Sequence, residues 1–254
     1  MTKQKVFITG ASSGIGAACA REFAKLGYDL ILNARRKERL LELQNEILQQ
    51  SPSINIELAI FDVQKRQDVE TYFQSHQQNI KDVTLLINNA GLAKGVEKVQ
   101  DSNLDDWDVM IDTNVKGLLM VTHHILPNFL KQNQGHIINL GSVAGRYTYP
   151  GGAVYCATKF AVRALTEGLR MDLLGTPIRV TNIEPGMVET EFSQVRLGDN
   201  EKARQVYAGM TPLSAKDIAE TIVWCSLRPA HVNIQELVIY PTDQAHVGQV
   251  ARRS

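Results

Sequence analysis

Residues 5–26, KVFITGASSGIGAACAREFAKL, place a glycine-rich turn between an apolar run and a stretch with helical periodicity. The apolar run predicts a strand, and the periodic stretch predicts an amphipathic helix. Gly10, Gly14 and Gly16 let the backbone turn tightly and approach a ligand. Because the start of the helix offers unpaired N–H groups and the positive end of its dipole, the arrangement predicts a pyrophosphate site. The alternative is a plain turn between a strand and a helix.

The same alternation of apolar runs and amphipathic stretches continues along most of the chain. The strands that we predict are 6–9, 29–34, 55–61, 85–88, 136–140, 179–184 and 237–239. Strands separated by helical crossovers predict an α/β fold with a doubly wound parallel sheet, covered on both faces. No linker, repeat or low-complexity block interrupts the 254 residues, so we expect a single domain over 1–254.

Candidate ligand-binding residues follow six of these strands. In a doubly wound sheet, ligands bind at the carboxyl ends of the strands. The residues found there, in chain order, are Gly10, Arg35, Asp62, Asn89, Ser142 and the pair Pro185-Gly186. So many coincidences favour one binding crevice at this edge of the sheet.

Tyr155 lies thirteen positions after Ser142 and four positions before Lys159. On a helix this spacing puts both side chains on one face. A phenol has an ordinary pKa of about 10, and a nearby ammonium lowers it toward the range that suits general acid and base catalysis. Alone, such a pair is a common helical turn. Together with the glycine-rich turn, it predicts a hydride-transfer site.

The end of the second predicted strand indicates the cofactor. Ala34-Arg35-Arg36 has no carboxylate to accept hydrogen bonds from a ribose, and it supplies guanidinium groups suited to a 2′-phosphate. We therefore expect NADP rather than NAD, with Arg35 favoured over Arg36 as the phosphate ligand. The alternative is that both arginines begin a solvated, charged helix. Asp62 either accepts from the adenine amino group or caps a helix or turn.

Composition excludes several classes of function. The 27 basic and 27 acidic residues give zero net charge, which argues against nucleic acid as a main partner. Three cysteines without paired spacing fit reduced thiols, and the histidines lack ligand spacing, so we predict no metal. No apolar run approaches the roughly 20 residues that cross a bilayer. We expect a cytoplasmic protein that does not bind membranes.

These residues resemble the short-chain dehydrogenase/reductases over nearly the whole chain. The segments that carry the resemblance are 9–16 (TGASSGIG), 88–91 (NNAG), Asn114, Ser142, Tyr155 and Lys159. The resemblance implies a Rossmann fold in which Tyr155 exchanges a proton with the substrate oxygen and Ser142 hydrogen-bonds that oxygen. It further implies that Lys159 binds the nicotinamide ribose and lowers the pKa of Tyr155. Asn114 would hold a water that links Lys159 to solvent.

The expected cofactor site combines the glycine-rich turn, the strand ends and the segment 185–190. Its members are Gly10, Ser12, Ser13, Gly14, Ile15, Gly16, Arg35, Arg36, Asp62, Val63, Asn89, Ala90, Gly91, Tyr155, Lys159, Pro185, Gly186, Val188 and Thr190. The resemblance also implies a substrate lid, which we place around 188–212.

Residues 183–196 and 229–234 look like those of a subgroup, the NADP-dependent 3-hydroxy acid dehydrogenases, which includes serine and allo-threonine dehydrogenases. This likeness implies oxidation of the β-hydroxyl of serine, L-allo-threonine or 3-hydroxyisobutyrate, or the reverse reduction. Guanidinium recognises a carboxylate well. We expect Arg146 or Arg196 to bind the acid group beside Ser142 and Tyr155. The alternative is that both are surface arginines.

Two other functions remain open at this point. The first is an NADPH-dependent reductase of 3-oxoacyl thioesters or larger carbonyl compounds. The second is a non-catalytic NADP-binding regulatory module, against which the presence of all four catalytic residues argues. The resemblance implies a homotetramer built on the helices that contain Asn114 and Tyr155. A C-terminal tail around 241–254 has no assigned role.

Overall fold

The computed structural model describes residues 4–253, so residues 1–3 and 254 of the predicted domain lie outside it. The strands in this range are β1 (Lys5–Ile8), β2 (Asp29–Ala34), β3 (Ile56–Ile60), β4 (Val83–Asn88), β5 (Gly135–Leu140), β6 (Ile178–Pro185), β7 (Val188–Glu189), β8 (Leu213–Ser214), β9 (Glu236–Ile239), β10 (Gln244–His246) and β11 (Gln249–Val250). The helices are α1 (Gly14–Lys25), α2 (Lys37–Gln50), α3 (Arg66–Ser75), α4 (Gln77–Ile80), α5 (Leu104–Ile111), α6 (Leu118–Gln132), α7 (Ala153–Asp172), α8 (Phe192–Leu197), α9 (Asn200–Gln205) and α10 (Ala215–Ser226).

Seven strands form one parallel sheet in the order β3-β2-β1-β4-β5-β6-β9. Its central strands are buried on both sides; all residues of β2 and β5 are buried. Such burial explains their continuous apolar sequence. The strand order reverses between β1 and β4, and a crevice opens at the carboxyl ends of strands where that happens. The predicted doubly wound parallel sheet is confirmed.

Helices cover both faces of the sheet, and the pleat of β1 shows how the sequence divides between them. Val6 and Ile8 pack into the core formed with α1, α2 and α10, where Phe23 is fully buried. Phe7 points the other way, into the core formed with α3 and α6, and stacks on Phe73 with ring centroids 5.7 Å apart. Two cores of this kind hold the sheet rigid beneath the site.

The structure adds elements that hydrophobic periodicity did not predict. The pairs β7–β8 and β10–β11 contain strands of two or three residues, too short to show a period of two. A π-helical turn, Asp112–Gly117, joins α5 to α6. Within residues 4–253, no helix combines the length and apolarity needed to span a membrane.

Candidate active site

The carboxyl ends of β1, β2, β4, β5 and β6 open into one cavity of about 690 Å³. Most of the predicted site residues line it, from Gly10 and Arg35 at one end to Ser142 and Thr190 at the other. Three predicted residues are absent from its wall, namely Gly16, Asn114 and Arg146. The cavity is therefore built largely from the strand ends that the sequence indicated.

The glycine-rich turn is packed so closely that side chains are excluded. Gly10 has φ +65°, and a Cβ on it would lie 2.9 Å from the Cα of Ala90. A Cβ on Gly16 would lie 2.5 Å from both Asn89 Nδ2 and the Gly10 carbonyl oxygen. Asn89 Nδ2 donates to the carbonyl oxygens of Thr9 (2.9 Å) and Gly10 (3.1 Å), which fixes the turn. Gly16 thus shapes the cavity from beneath without contacting it.

Helix α1 begins at this turn with its amide groups toward the cavity. Among the described residues no side chain caps the helix at Ser13, and its first turn carries no acidic residue. A bound phosphate would accept hydrogen bonds from these N–H groups and would lie at the positive end of the helix dipole. The turn therefore fits a pyrophosphate.

The two arginines after β2 take different partners. Arg36 donates through Nε and Nη2 to Ser12 Oγ (3.3 and 3.0 Å) and through Nη2 to Ser13 Oγ (3.0 Å). Arg35 Nη1 lies 3.5 Å from Asp62 Oδ2, while Asp62 Oδ1 accepts from the amide of Gln64. These donors and hydroxyl groups at the adenosine end suit a 2′-phosphate. The predicted preference for Arg35 over Arg36 has no counterpart in this geometry, because Arg36 sits on the glycine-rich turn.

Ser142, Tyr155 and Lys159 meet at the other end of the cavity. Ser142 precedes a single 3₁₀ turn, Val143–Gly145, and its Oγ accepts from the amide of Ala144 at 3.1 Å. Tyr155 and Lys159 are buried on the same face of α7. A Cβ on Gly145 would lie 2.7 Å from the Lys159 carbonyl oxygen, so glycine allows the serine turn to touch the helix.

Burial shifts both ionisable groups away from their ordinary behaviour. It raises the pKa of Tyr155, and the nearby Tyr149 phenol raises it further. A side-chain hydrogen bond with Ser142 and the charge of Arg196 act in the opposite direction. Burial lowers the pKa of Lys159 to about 8.

The expectation that Lys159 lowers the pKa of the phenol stays a prediction. Lys159 Nζ donates to the Leu140 carbonyl oxygen at 2.7 Å and lies 5.9 Å from the centre of the Tyr155 ring. Arg196 is one cation that favours the Tyr155 phenolate in this structure. A positive charge beside a phenol stabilises its anion whichever residue supplies it.

Asn114 lies in the π-helical turn, where its side chain fastens neighbouring segments together. Its Oδ1 accepts from the Leu92 amide (2.9 Å), and its Nδ2 donates to the Leu92 carbonyl oxygen (2.8 Å) and to Thr158 Oγ1 (3.0 Å). Both amide hydrogens are engaged. Any water held here would have to donate to an oxygen of Asn114. The water that Asn114 would hold between Lys159 and solvent stays a prediction.

Arg196 reaches the catalytic end of the cavity from the lid. It lies on α8 and donates to the carbonyl oxygens of Gly95 (3.1 Å) and Gly151 (3.4 Å) and to Tyr149 Oη (3.0 Å). Its Cζ lies 5.3 Å from the centre of the Tyr149 ring. All three of these acceptors are neutral, although the Glu97 carboxylate is close enough to interact with the Arg196 charge.

Arg146 occupies a different environment, and we correct its assignment as a substrate ligand. Its guanidinium donates to Glu184, which is fully buried, and to Glu236, which Arg163 also contacts at 2.9 Å. Two carboxylates neutralise the guanidinium, and it does not line the cavity. The residue ties the Ser142 turn to β6 and β9 instead.

Several cavity residues escaped the sequence reasoning, among them Tyr149, Glu191, Phe192, Tyr207 and Gln244. The Tyr155 and Phe192 rings lie 5.6 Å apart, so the lid covers the phenol. Gln244 Oε1 accepts from the Met187 amide at 2.8 Å, which brings the tail to the site. None of these contacts lies in a motif, and the last joins residues 57 positions apart.

The tail also fastens the second half of the lid. Arg252 donates to the carbonyl oxygens of Ala208 and Val206, and the Arg253 amide donates to that of Gly209 at 2.7 Å.

Within residues 4–253, no group of three or more His, Cys, Asp or Glu side chains is arranged to hold a metal ion.

Comparisons with known proteins agree with this geometry. The family model for short chain dehydrogenases matches residues 4–201. Sulfoacetaldehyde reductase 2 of Chromohalobacter salexigens is 47% identical over 94% of this chain and 95% of its own length. The NADP-dependent 3-hydroxy acid dehydrogenase YdfG of Escherichia coli (strain K12) is 44% identical over 96% of this chain and 97% of its own.

A solved structure of serine dehydrogenase, in a closed form complexed with NADP+, superposes with a TM-score of 0.91. It is 43% identical and covers 98% of this chain and 100% of its own. The doubly wound parallel sheet is the Rossmann fold that the resemblance implied. The chain belongs to the short chain dehydrogenase family.

Proposed function

We propose that the protein is an NADP-dependent oxidoreductase that interconverts a hydroxyl and a carbonyl group one carbon away from an anionic group. The substrates that fit are small 3-hydroxy acids such as serine, L-allo-threonine and 3-hydroxyisobutyrate. The observation that carries the proposal is Arg196, a guanidinium with only neutral hydrogen-bond partners beside Ser142 and Tyr155.

Arg196 retains capacity for an anion. A guanidinium has five N–H donors, and three hydrogen bonds to neutral oxygens leave donors for an anionic ligand. A carboxylate or a sulfonate suits such a partner. The names of the relatives point the same way, since sulfoacetaldehyde and the 3-oxo acids both carry an anion one carbon from the carbonyl.

The assignment of NADP rests on the adenosine end of the cavity. Arg36, Ser12 and Ser13 supply a cation and hydroxyl groups there, and β2 ends at Ala34, without a carboxylate. A ribose 2′-hydroxyl would find no acidic acceptor at that position, whereas a 2′-phosphate would find a guanidinium. NADP-dependence of a relative and NADP+ in a related structure support this assignment.

The residues of the catalytic end divide the chemistry between them. Bound NADP(H) supplies the hydride acceptor or donor. Tyr155 takes the hydroxyl proton during oxidation and returns it during reduction. Ser142 donates to the substrate oxygen, and the Lys159 and Arg196 charges stabilise negative charge that develops there. Phe192 and Tyr149 exclude water, which strengthens these interactions.

Assembly and location follow as lesser proposals. Phe160 on α7 and Leu119 on α6 are 39% and 38% exposed, which supports a homotetramer that buries these helices. The three cysteines are buried free thiols, in keeping with a reducing cytoplasm.

The direct test follows the absorbance of reduced nicotinamide with NADP and separately with NAD. The panel is L-serine, L-allo-threonine, 3-hydroxyisobutyrate, 3-hydroxypropionate and 2-hydroxyethanesulfonate, with a neutral primary alcohol of similar size as control. We expect NADP-dependent oxidation of anionic alcohols and little turnover of the neutral one. Reduction of neutral ketones or 3-oxoacyl thioesters alone would overturn the acid assignment. Cofactor binding without turnover of any substrate would indicate a regulatory module.

A further inference from the structure

The lid carries an acidic residue directed at the adenosine end of the cavity. Glu191 immediately precedes α8, and its Oε2 accepts from Arg36 Nη1 at 3.2 Å, while its other oxygen accepts from Arg39. Although burial opposes the shift, these hydrogen bonds from Arg39 and Arg36 lower the pKa of Glu191. The carboxylate is therefore ionised at neutral pH and ties the lid to the start of α2.

One guanidinium thus serves two purposes. Arg36 donates to Ser12 and Ser13 through Nε and Nη2, and it donates to Glu191 through Nη1. Four of its five donor positions are used in this way. A 2′-phosphate that binds Arg36 must share the guanidinium with a carboxylate of the same sign. Arg39 does not line the cavity, so its ion pair with Glu191 can persist when Arg36 binds another anion.

We propose that Glu191 sets the affinity for the 2′-phosphate and couples it to the lid. The inference rests on the proposed NADP-dependence and goes beyond it. The carboxylate weakens phosphate binding by partly neutralising Arg36, which prevents the cofactor from being held too tightly for release. By thermodynamic linkage, the phosphate loosens the Glu191–Arg36 contact by the same factor. NADPH and NADH should then leave the lid with different mobility.

Glu191→Gln tests the first half of the proposal, because it removes the charge and keeps the shape. A unit charge removed from a solvent-exposed site next to a phosphate ligand changes affinity about three- to tenfold. We expect Kd for NADPH, measured by fluorescence titration, to fall by that factor, and Kd for NADH to stay within about twofold. Glu38→Gln is the matched control, since Glu38 is an exposed carboxylate in the first turn of α2, the helix that begins after Arg36. It should change neither value by more than about twofold.

Hydrogen–deuterium exchange tests the second half without relying on turnover. The amides of Val195 and Gly198 donate within the first turns of the lid, to Glu191 and Gln194 carbonyl oxygens at 2.9 Å each. In the wild-type protein they should exchange faster with NADPH than with NADH bound. In Glu191→Gln this difference should disappear.

The outcomes separate the two levels of the argument. A wild-type protein that binds NADH as tightly as NADPH would overturn the NADP assignment and the inference with it. A wild-type preference for NADPH, with Kd unchanged in Glu191→Gln or shifted equally for both cofactors, would overturn the inference alone. Equal lid exchange in the two wild-type complexes would refute the coupling.

Discussion

Replacing Arg196 by Met should convert an enzyme for acids into one that barely distinguishes them from neutral substrates. Met keeps much of the length and apolar body of the side chain and removes the guanidinium. A hydrogen bond to a charged group contributes about 1.5–3 kcal/mol. Loss of a paired interaction with a carboxylate should therefore lower kcat/KM for the acid by about 30- to 150-fold, or about 2–3 kcal/mol.

Arg196 also holds the lid, and the assay must separate that role. Its hydrogen bonds to Gly95, Gly151 and Tyr149 are lost with every substrate, as is its effect on the pKa of Tyr155. These losses divide out in the ratio of kcat/KM for an acid to kcat/KM for a neutral alcohol of similar size. That ratio should fall by the factor given above.

Two variants sharpen the comparison. Arg204→Met removes an equal charge from α9, where the arginine side chain is 74% exposed and pairs with Glu201 at 3.1 Å. It should leave the ratio unchanged. Arg196→Lys keeps the charge without the planar fork and should retain part of the preference. If Arg196→Met lowered kcat/KM equally for acid and neutral substrates, the residue would only hold the lid, and the reasoning would be refuted.

Two predictions concern how buried ionisable residues affect the free energy of unfolding and its dependence on pH. Lys159→Met should abolish turnover yet raise the free energy of unfolding at pH 7 by about 2 kcal/mol, because it removes a buried ammonium at the loss of one hydrogen bond. This gain in stability should shrink as pH rises from about 8 toward 10.5, where the wild-type lysine becomes neutral. A variant that is less stable than the wild type in urea denaturation would contradict the prediction. His136 is buried against Thr181, and burial lowers its pKa to about 3, so the unfolded chain takes up a proton that the folded one does not. The free energy of unfolding should therefore fall by up to about 1.4 kcal/mol per pH unit below pH 6.5. His136→Gln should lack this slope.

Much of the site was predictable because the fold places strand ends together. Gly10, Asn89 and Ser142 are far apart in sequence, yet parallel strands with helical crossovers bring their carboxyl ends to one edge. Tyr155 and Lys159 share a helix, so their spacing alone predicted a common face. Local rules sufficed for both inferences.

Side-chain partners were not predictable in the same way. The sequence offered Arg146 and Arg196 as equal candidates, and only the tertiary structure shows that Glu184 and Glu236 neutralise the first. The contact between Arg36 and Glu191 spans 155 positions. No periodicity or motif encodes such a pairing, since it depends on where the lid comes to rest.

Strand bounds were predicted well in the buried sheet and poorly at its margins. The predicted strand 29–34 coincides with β2, which is buried throughout. The prediction 85–88 missed the first two residues of β4, because Thr84 interrupts the apolar run. Strands β7 and β8 hold two residues each, and their pairing comes from the lid and not from their own sequence.

The central claim is that Tyr155 transfers the proton in an NADP-dependent reaction of an anionic alcohol. The most direct measurement is kcat of Tyr155→Phe with the best acid of the panel, beside Kd for NADPH in the same variant. We predict that kcat falls by about 10²- to 10⁴-fold while Kd for NADPH changes by less than about threefold. Retention of kcat by the phenylalanine variant would contradict the account.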